Sequence, residues 1–188
     1  MIHAVIGTKA QLIKMAPILK SLADRGIEYN YISTGQHRDT IDDILANFGI
    51  RGPDFAVYAG PDITSIPKMA LWALRILAQT FRHRDKIFRG DRHGIVLVHG
   101  DTFSTLLGAL MGKVAGLKVG HVESGLRSFN IWQPFPEELT RLATFRLADF
   151  MFCPGTWALE NLAKYSGKKI DTGANTLLDA LSVAWPAI

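Results

Sequence analysis

Residues 94–123 read GIVLVHGDTFSTLLGALMGKVAGLKVGHVE. A Val/Leu-rich run delivers Gly100 and Asp101 to its end. Thr102, Ser104 and Thr105 follow and offer oxygens that can cap a helix. Gly108, Ala109, Gly112 and Ala115 then give that helix a small-residue face suited to close packing. A second apolar run, KVGHVE at 118–123, ends in Glu123. Strand, helix and strand in this order form a right-handed crossover between two parallel strands.

The same alternation extends in both directions. IHAVIG (2–7), YNYIST (29–34), DFMFCP (149–154) and KKIDTG (168–173) read as further strands, closed by Gly, Ser/Thr or Pro. Leu12, Ala16, Leu19 and Ala23 recur at helical spacing, as do Ile41, Ile44, Leu45 and Phe48. Pro17 lacks an N–H, so the first regular helix is expected to begin only about one turn before it. The run KMALWALRILAQTF (68–81) is shorter than a membrane span and carries Arg75, so it reads as a helix packed on the sheet. The pattern predicts one α/β domain over residues 1–188, a Rossmann-like doubly wound parallel sheet covered on both faces.

With 48% hydrophobic and 20% charged residues, the 188-residue chain is globular. Its formal charge of +4 is concentrated in FRHRDKIFRGDR (81–92). No nucleic-acid motif accompanies that segment, and it reads as a solvated helix end; neither a nucleic acid nor a membrane is expected as partner. Cys153 is the only cysteine, which rules out an intramolecular disulfide and fits a reducing compartment, the cytoplasm. His37 has no Cys or His at metal-ligand spacing, so no metal site is expected.

In a doubly wound sheet, ligands bind outside the carboxyl ends of the strands. The first strand ends in GTKAQLIK (7–14), where Gly7, a helix N-terminus, Lys9 and Lys14 suit a phosphate or diphosphate, or else form a tight turn with two solvated lysines. The second ends in STGQH, where Gln36 and His37 either contact a polar ligand or belong to a turn with its donors satisfied locally. Asp101 caps its helix or reaches a ligand. Glu123, at a buried strand end, needs a partner and is suited to acid/base work. PFPEELTR (134–141) is helix-start chemistry, in which Glu137 and Glu138 are either an exposed cap or part of a site. Arg141 can sit beside either on one helix face.

GTKAQLIKMAPI, TGQHRDTIDDIL, HGDTFSTLLGALMG, GHVESGLRSFNIWQPFPEELTR and DTGANTLLDAL occur in this order along nearly the whole chain. Together they resemble the non-hydrolysing UDP-N-acetylglucosamine 2-epimerase family. The resemblance implies the N-terminal half of a two-domain, glycosyltransferase B-type fold whose C-terminal half lies outside this sequence. It implies a UDP-sugar substrate, no NAD or metal cofactor, and loss of activity in the half alone, whose apolar cleft side would self-associate as a homodimer. It places the catalytic carboxylates on Asp101, Glu123 and Glu137, a supporting arginine on Arg141, first-loop cations on Lys9 and Lys14, and an allosteric strip on Gln36 and His37. GTKAQ departs from the family's Gly-Thr-Arg-Pro-Glu, Thr140 stands for an asparagine, and Met69 stands near an expected arginine. A hydrolysing epimerase, another nucleotide-sugar enzyme of this fold, and a nucleotide-sugar-binding or regulatory module without catalysis remain the competing readings.

Overall fold

In the computed structural model of the protein, residues 1–36, 41–60 and 66–184 are described. His37 lies outside them. The strands are β1 (Ile2–Ile6), β2 (Tyr29–Ser33), β3 (Phe55–Ala56), β4 (Ile95–His99), β5 (Lys118–Val122), β6 (Phe150–Cys153) and β7 (Lys168–Asp171). The helices are α1 (Lys9–Asp24), α2 (Ile41–Phe48), α3 (Ile66–Ile87), α4 (Phe103–Ala115), α5 (Glu137–Leu147), α6 (Thr156–Asn161) and α7 (Thr176–Ala184). The strands form one sheet in the order β3-β2-β1-β4-β5-β6-β7, and every pairing is parallel. All carboxyl ends therefore lie along one edge, and the order turns back between β1 and β4.

The strands are apolar on both sides because both sides are covered. Ala4, Ile6, Leu97 and Val122 pack under α1, α2 and α7. Val5, Val96, Val98 and Val119 face α3 and α4. Alternate residues of one strand thus enter opposite cores. A third cluster of Phe145, Met151, Cys153 and Leu162 joins α5 and α6 to the far side of the sheet.

Two expectations need correction. α1 begins at Lys9, two turns before Pro17, and runs through the proline without a break. A capping box sets its start: the Thr8 hydroxyl accepts from the Gln11 N–H, and the Gln11 side chain accepts from the Thr8 N–H. Burial of Leu12, Met15, Ala16 and Leu19 on both sides of Pro17 outweighs the one helical hydrogen bond the proline removes. β3 was not expected at all; its two residues are too few to show a pattern.

Gly108 is where α4 meets the sheet most closely. A Cβ there would stand 2.8 Å from Cγ1 of both Val5 and Val98. Those β-branched side chains are stiff and buried. Gly108→Ala gains about 1 kcal/mol of helix propensity and loses about 1–3 kcal/mol to overpacking. The expected net result is a lower midpoint in urea unfolding; a raised midpoint would show that the contact can relax.

Candidate functional site

The strand-end residues meet along the carboxyl edge. Gly100, with φ of 72°, turns the chain out of β4, and its N–H donates to the Val122 carbonyl at 3.0 Å. Asp101 follows, and its carboxylate accepts from Nη2 of Arg141 on α5. Nη1 of the same guanidinium reaches Glu138 Oε2 at 3.1 Å. The Thr140 hydroxyl bonds to the Asp101 carbonyl and lies 2.8 Å from the Glu137 carbonyl, stitching the end of β4 to the start of α5.

Glu138 is not the exposed cap that helix-start chemistry suggested. It is fully buried and accepts from Arg127 Nε, from the Ser128 N–H at 3.1 Å and from Arg141. Burial pushes its pKa up, but these donors and the Arg127 charge outweigh that and hold the carboxyl below the usual range. Glu137, one residue earlier, is half-buried instead. Its Oε2, like Arg141 Nε, is buried and has no hydrogen-bond partner among the described residues.

Glu123 ends β5 with φ of 61°, a left-handed conformation that costs a non-glycine residue about 1–3 kcal/mol. Four interactions hold it there. Lys14 Nζ lies 2.8 Å from each carboxylate oxygen, Asn175 Nδ2 donates to Oε1, His99 Nε2 is 3.3 Å from Oε2, and the Ser124 N–H donates to the Phe152 carbonyl at 2.9 Å.

Two cavities result. One, of about 440 Å³, brings together Lys9, Gln36, Asp101 and Glu137 with Met69 and Pro136. Gln36 is fixed by Ser104 Oγ, which donates to its Oε1 at 2.6 Å. The Lys9 ammonium has no ion pair among the described residues. The other cavity, of about 350 Å³, is lined by Glu123, Asn175 and Asp179 over an apolar floor of Leu97, Val122 and Phe152. The Lys14 ammonium lies on Glu123. Among the described residues no cluster of three His, Cys, Asp or Glu side chains could hold a metal. Among the described residues no helix is long and apolar enough to cross a membrane.

His99 and His121, buried at neighbouring strand ends, were not singled out from sequence. Burial, helped by the Lys14 charge, lowers His99 to about 3. Burial lowers His121 to about 4 against the pull of the Gly100 carbonyl. Both rings are neutral at pH 7. Asn175 and Arg127 were also passed over, although both lie in quoted motifs; only the folded chain brings them to a carboxylate.

A parallel sheet of this order with its polar groups along the carboxyl edge defines a Rossmann-like α/β domain. The sequence pattern of the family described as UDP-N-acetylglucosamine 2-epimerase matches residues 20–187, and the chain belongs to that family. It is 38% identical to the UDP-N-acetylglucosamine 2-epimerase of Bacillus subtilis over 96% of this chain and 46% of that protein. It is 37% identical to the Escherichia coli K12 enzyme of the same name, over 94% of this chain and 46% of that protein. Among solved structures it is similar to UDP-GlcNAc 2-epimerase from Neisseria meningitidis bound to UDP-GlcNAc, with a TM-score of 0.82, 31% identity, and 97% and 48% of the two chains covered. Acinetobacter baumannii MurG, at 12% identity and a TM-score of 0.57, shares the fold, that of one half of a glycosyltransferase B-type protein. The chain spans about half the length of the curated relatives it matches.

His3, like His99 and His121, is a buried imidazole with a lowered pKa, burial being the largest cause. In the unfolded chain each titrates near about 6.5. Above that pH neither state binds the protons. Below it the unfolded chain takes them up while the folded chain refuses, so stability falls as pH drops from about 6.5 toward 4. Urea unfolding at about pH 7.5 and about pH 5 should differ by about 1 kcal/mol or more, with the acid sample weaker. Equal stabilities would mean that the three rings are protonated in the fold.

Proposed function

We propose that this chain is the N-terminal catalytic half of an enzyme that interconverts UDP-GlcNAc and UDP-ManNAc by inverting C2 of the sugar. The observation that carries the reading is the cavity holding Lys9, Gln36, Asp101 and Glu137, with a buried, unpartnered Glu137 oxygen at its wall. The names of the relatives above supply the substrate class.

The reaction requires a base to take the C2 proton while the C1–O bond breaks and UDP leaves, giving a C1=C2 double bond. A diphosphate oxygen then adds back to C1, and a proton reaches C2 from the opposite face. Asp101, Glu123 and Glu137 are the acid and base groups. Arg141 orients Asp101, and Lys14 orients Glu123. Lys9 and the first turn of α1 take the diphosphate, whose growing negative charge on leaving they stabilise. The chemistry moves protons and breaks no C–C or C–H bond by hydride transfer, so it calls for neither NAD nor metal. A second half closes the cleft. Exposed Phe129, Trp132 and Phe135, with Leu71, Leu74 and Phe81 of α3, support pairing of two copies. The lone buried Cys153 supports a cytoplasmic location.

The test is incubation of the full-length protein with UDP-GlcNAc in deuterated water. UDP-ManNAc bearing deuterium at C2 should form, and Asp101→Asn or Glu123→Gln should slow it on the order of a hundredfold or more. The 188-residue chain alone should show neither exchange nor binding tighter than about millimolar, because half a cleft buries little of the ligand. Hydrolysis without epimer would replace this reading with that of a hydrolysing enzyme; binding with no turnover at all would leave only a binding module.

Lys9 carries a separate expectation. A guanidinium fork grips a diphosphate better than a point charge does. In titration calorimetry on the full-length protein, Lys9→Arg should tighten UDP binding and Lys9→Ala weaken it. Equal affinities for all three would place the diphosphate elsewhere.

A further inference from the structure

His121 lies on β5 two residues before Glu123, with its side chain fully buried. Its Nε2 is 2.7 Å from the carbonyl oxygen of Gly100, the residue before Asp101. A carbonyl only accepts, so Nε2 carries the hydrogen. Nδ1 is then an acceptor, and the Ser124 hydroxyl stands 3.2 Å from it, one residue after Glu123. The ring also packs on Phe145 of α5, with centroids 5.5 Å apart and planes at 37°. One imidazole therefore touches the segment carrying Asp101, the turn carrying Glu123 and the helix that begins at Glu137.

Both turns that it ties have left-handed backbone: Gly100 at φ 72° and Glu123 at φ 61°. The conformation costs glycine nothing but strains Glu123, and such strain holds only where the surroundings over-determine it. The Gly100 carbonyl has one rigid donor in His121; that carbonyl sets the tautomer, and the Ser124 hydroxyl donates to the Nδ1 left as acceptor. We infer that His121 is a positioning residue that sets the relative placement of Asp101, Glu123 and Glu137 by tying the Gly100 carbonyl to the Glu123–Ser124 turn against Phe145. It touches no reacting atom. The inference rests on the proposed epimerase reading for its kinetic consequence, not for its geometry.

Two measurements test it. The first needs no activity. Long-range ¹H–¹⁵N spectra of the chain at neutral pH should show His121 as the neutral Nε2–H form. In His121→Leu the amide resonances of Asp101 and Glu123 should move, whereas His121→Gln, whose amide nitrogen reaches the place of Nε2, should restore most of their positions. An Nδ1–H tautomer, or an imidazolium, overturns the clamp, and this reading on the unaltered protein stands even where His121→Leu fails to fold. The second is kinetic, on the full-length protein. His121→Leu should lower kcat on the order of a hundredfold with KM little changed, the scale of a misplacement of about 1 Å. His121→Gln should recover at least about tenfold of that loss. Equal kcat in wild type and His121→Leu overturns the positioning role, as does equal impairment of Leu and Gln, which would mean packing alone. Absence of turnover in the wild type overturns the epimerase reading instead, and the spectra then decide the clamp by themselves.

Discussion

A carboxylate with no solvent contact underlies the whole carboxyl edge. Glu138 sits at the first turn of α5, where the helix N-terminus favours negative charge. Left alone in the interior it would be strongly destabilising. Arg127, Arg141 and the Ser128 N–H prevent this, and in doing so they are themselves fixed. Arg141 then presents its second nitrogen to Asp101. Arg127 lies 4.8 Å from the centre of the Phe129 ring, which anchors the start of the loop before α5. Glu138 thus spends its charge on geometry, which leaves Glu137 as the member of the pair with an unpartnered oxygen at the cavity. Two adjacent glutamates have two environments and two tasks.

Glu123 is arranged on another principle. Its backbone is strained and its carboxylate is shared among Lys14 from α1, His99 from β4 and Asn175 from just before α7. Three segments distant in sequence converge on one side chain. The contact also defines what α7 does in this fold: it packs on α1 and α2, and the residue preceding it caps the charge at the strand end. A displacement of α7 would alter the environment of Glu123 before that of Asp101, because the two line different cavities.

The sheet could be read from the sequence because parallel strands buried on both faces are near-continuous apolar runs, and the helices between them carry a 3.6-residue period. Six of the seven strands were visible in this way. β3 was not, since pairing of two residues depends on β2 beside it and not on any pattern of its own. Pro17 misled because a local rule was weighed without the tertiary burial that overrides it. Asp101 and Glu123 were accessible as strand ends, Glu137 as a helix-start residue, and all three as motif positions. Of the partners around them, Arg141 was visible as a helix-face neighbour, whereas the others were not. His99 and His121 look like ordinary apolar-strand histidines until the sheet places them beside Gly100 and Glu123. By spacing alone Glu138 and Glu137 are indistinguishable, and the rotation of α5 about its axis separates a buried carboxylate from one at a cavity.

The GTKAQ loop shows how a departure in sequence is absorbed. Gln11 is 2% exposed and uses both ends of its amide. Its oxygen accepts from the Gly7 N–H at 2.9 Å and the Thr8 N–H at 3.1 Å. Its nitrogen donates to the His99 carbonyl at 3.0 Å and to Thr105 Oγ1 at 2.9 Å. An ionised glutamate could make the first two bonds, but facing the His99 carbonyl it would set acceptor against acceptor in a buried place. The neutral amide satisfies all four partners without a buried charge. It therefore locks the first loop to the end of β4, next to Gly100 and Asp101. The loop keeps its shape through Gln11, while the Lys9 ammonium makes no ion pair among the described residues. Within five residues, Gln11 governs where the loop is, and Lys9 is left for the anion contact proposed above.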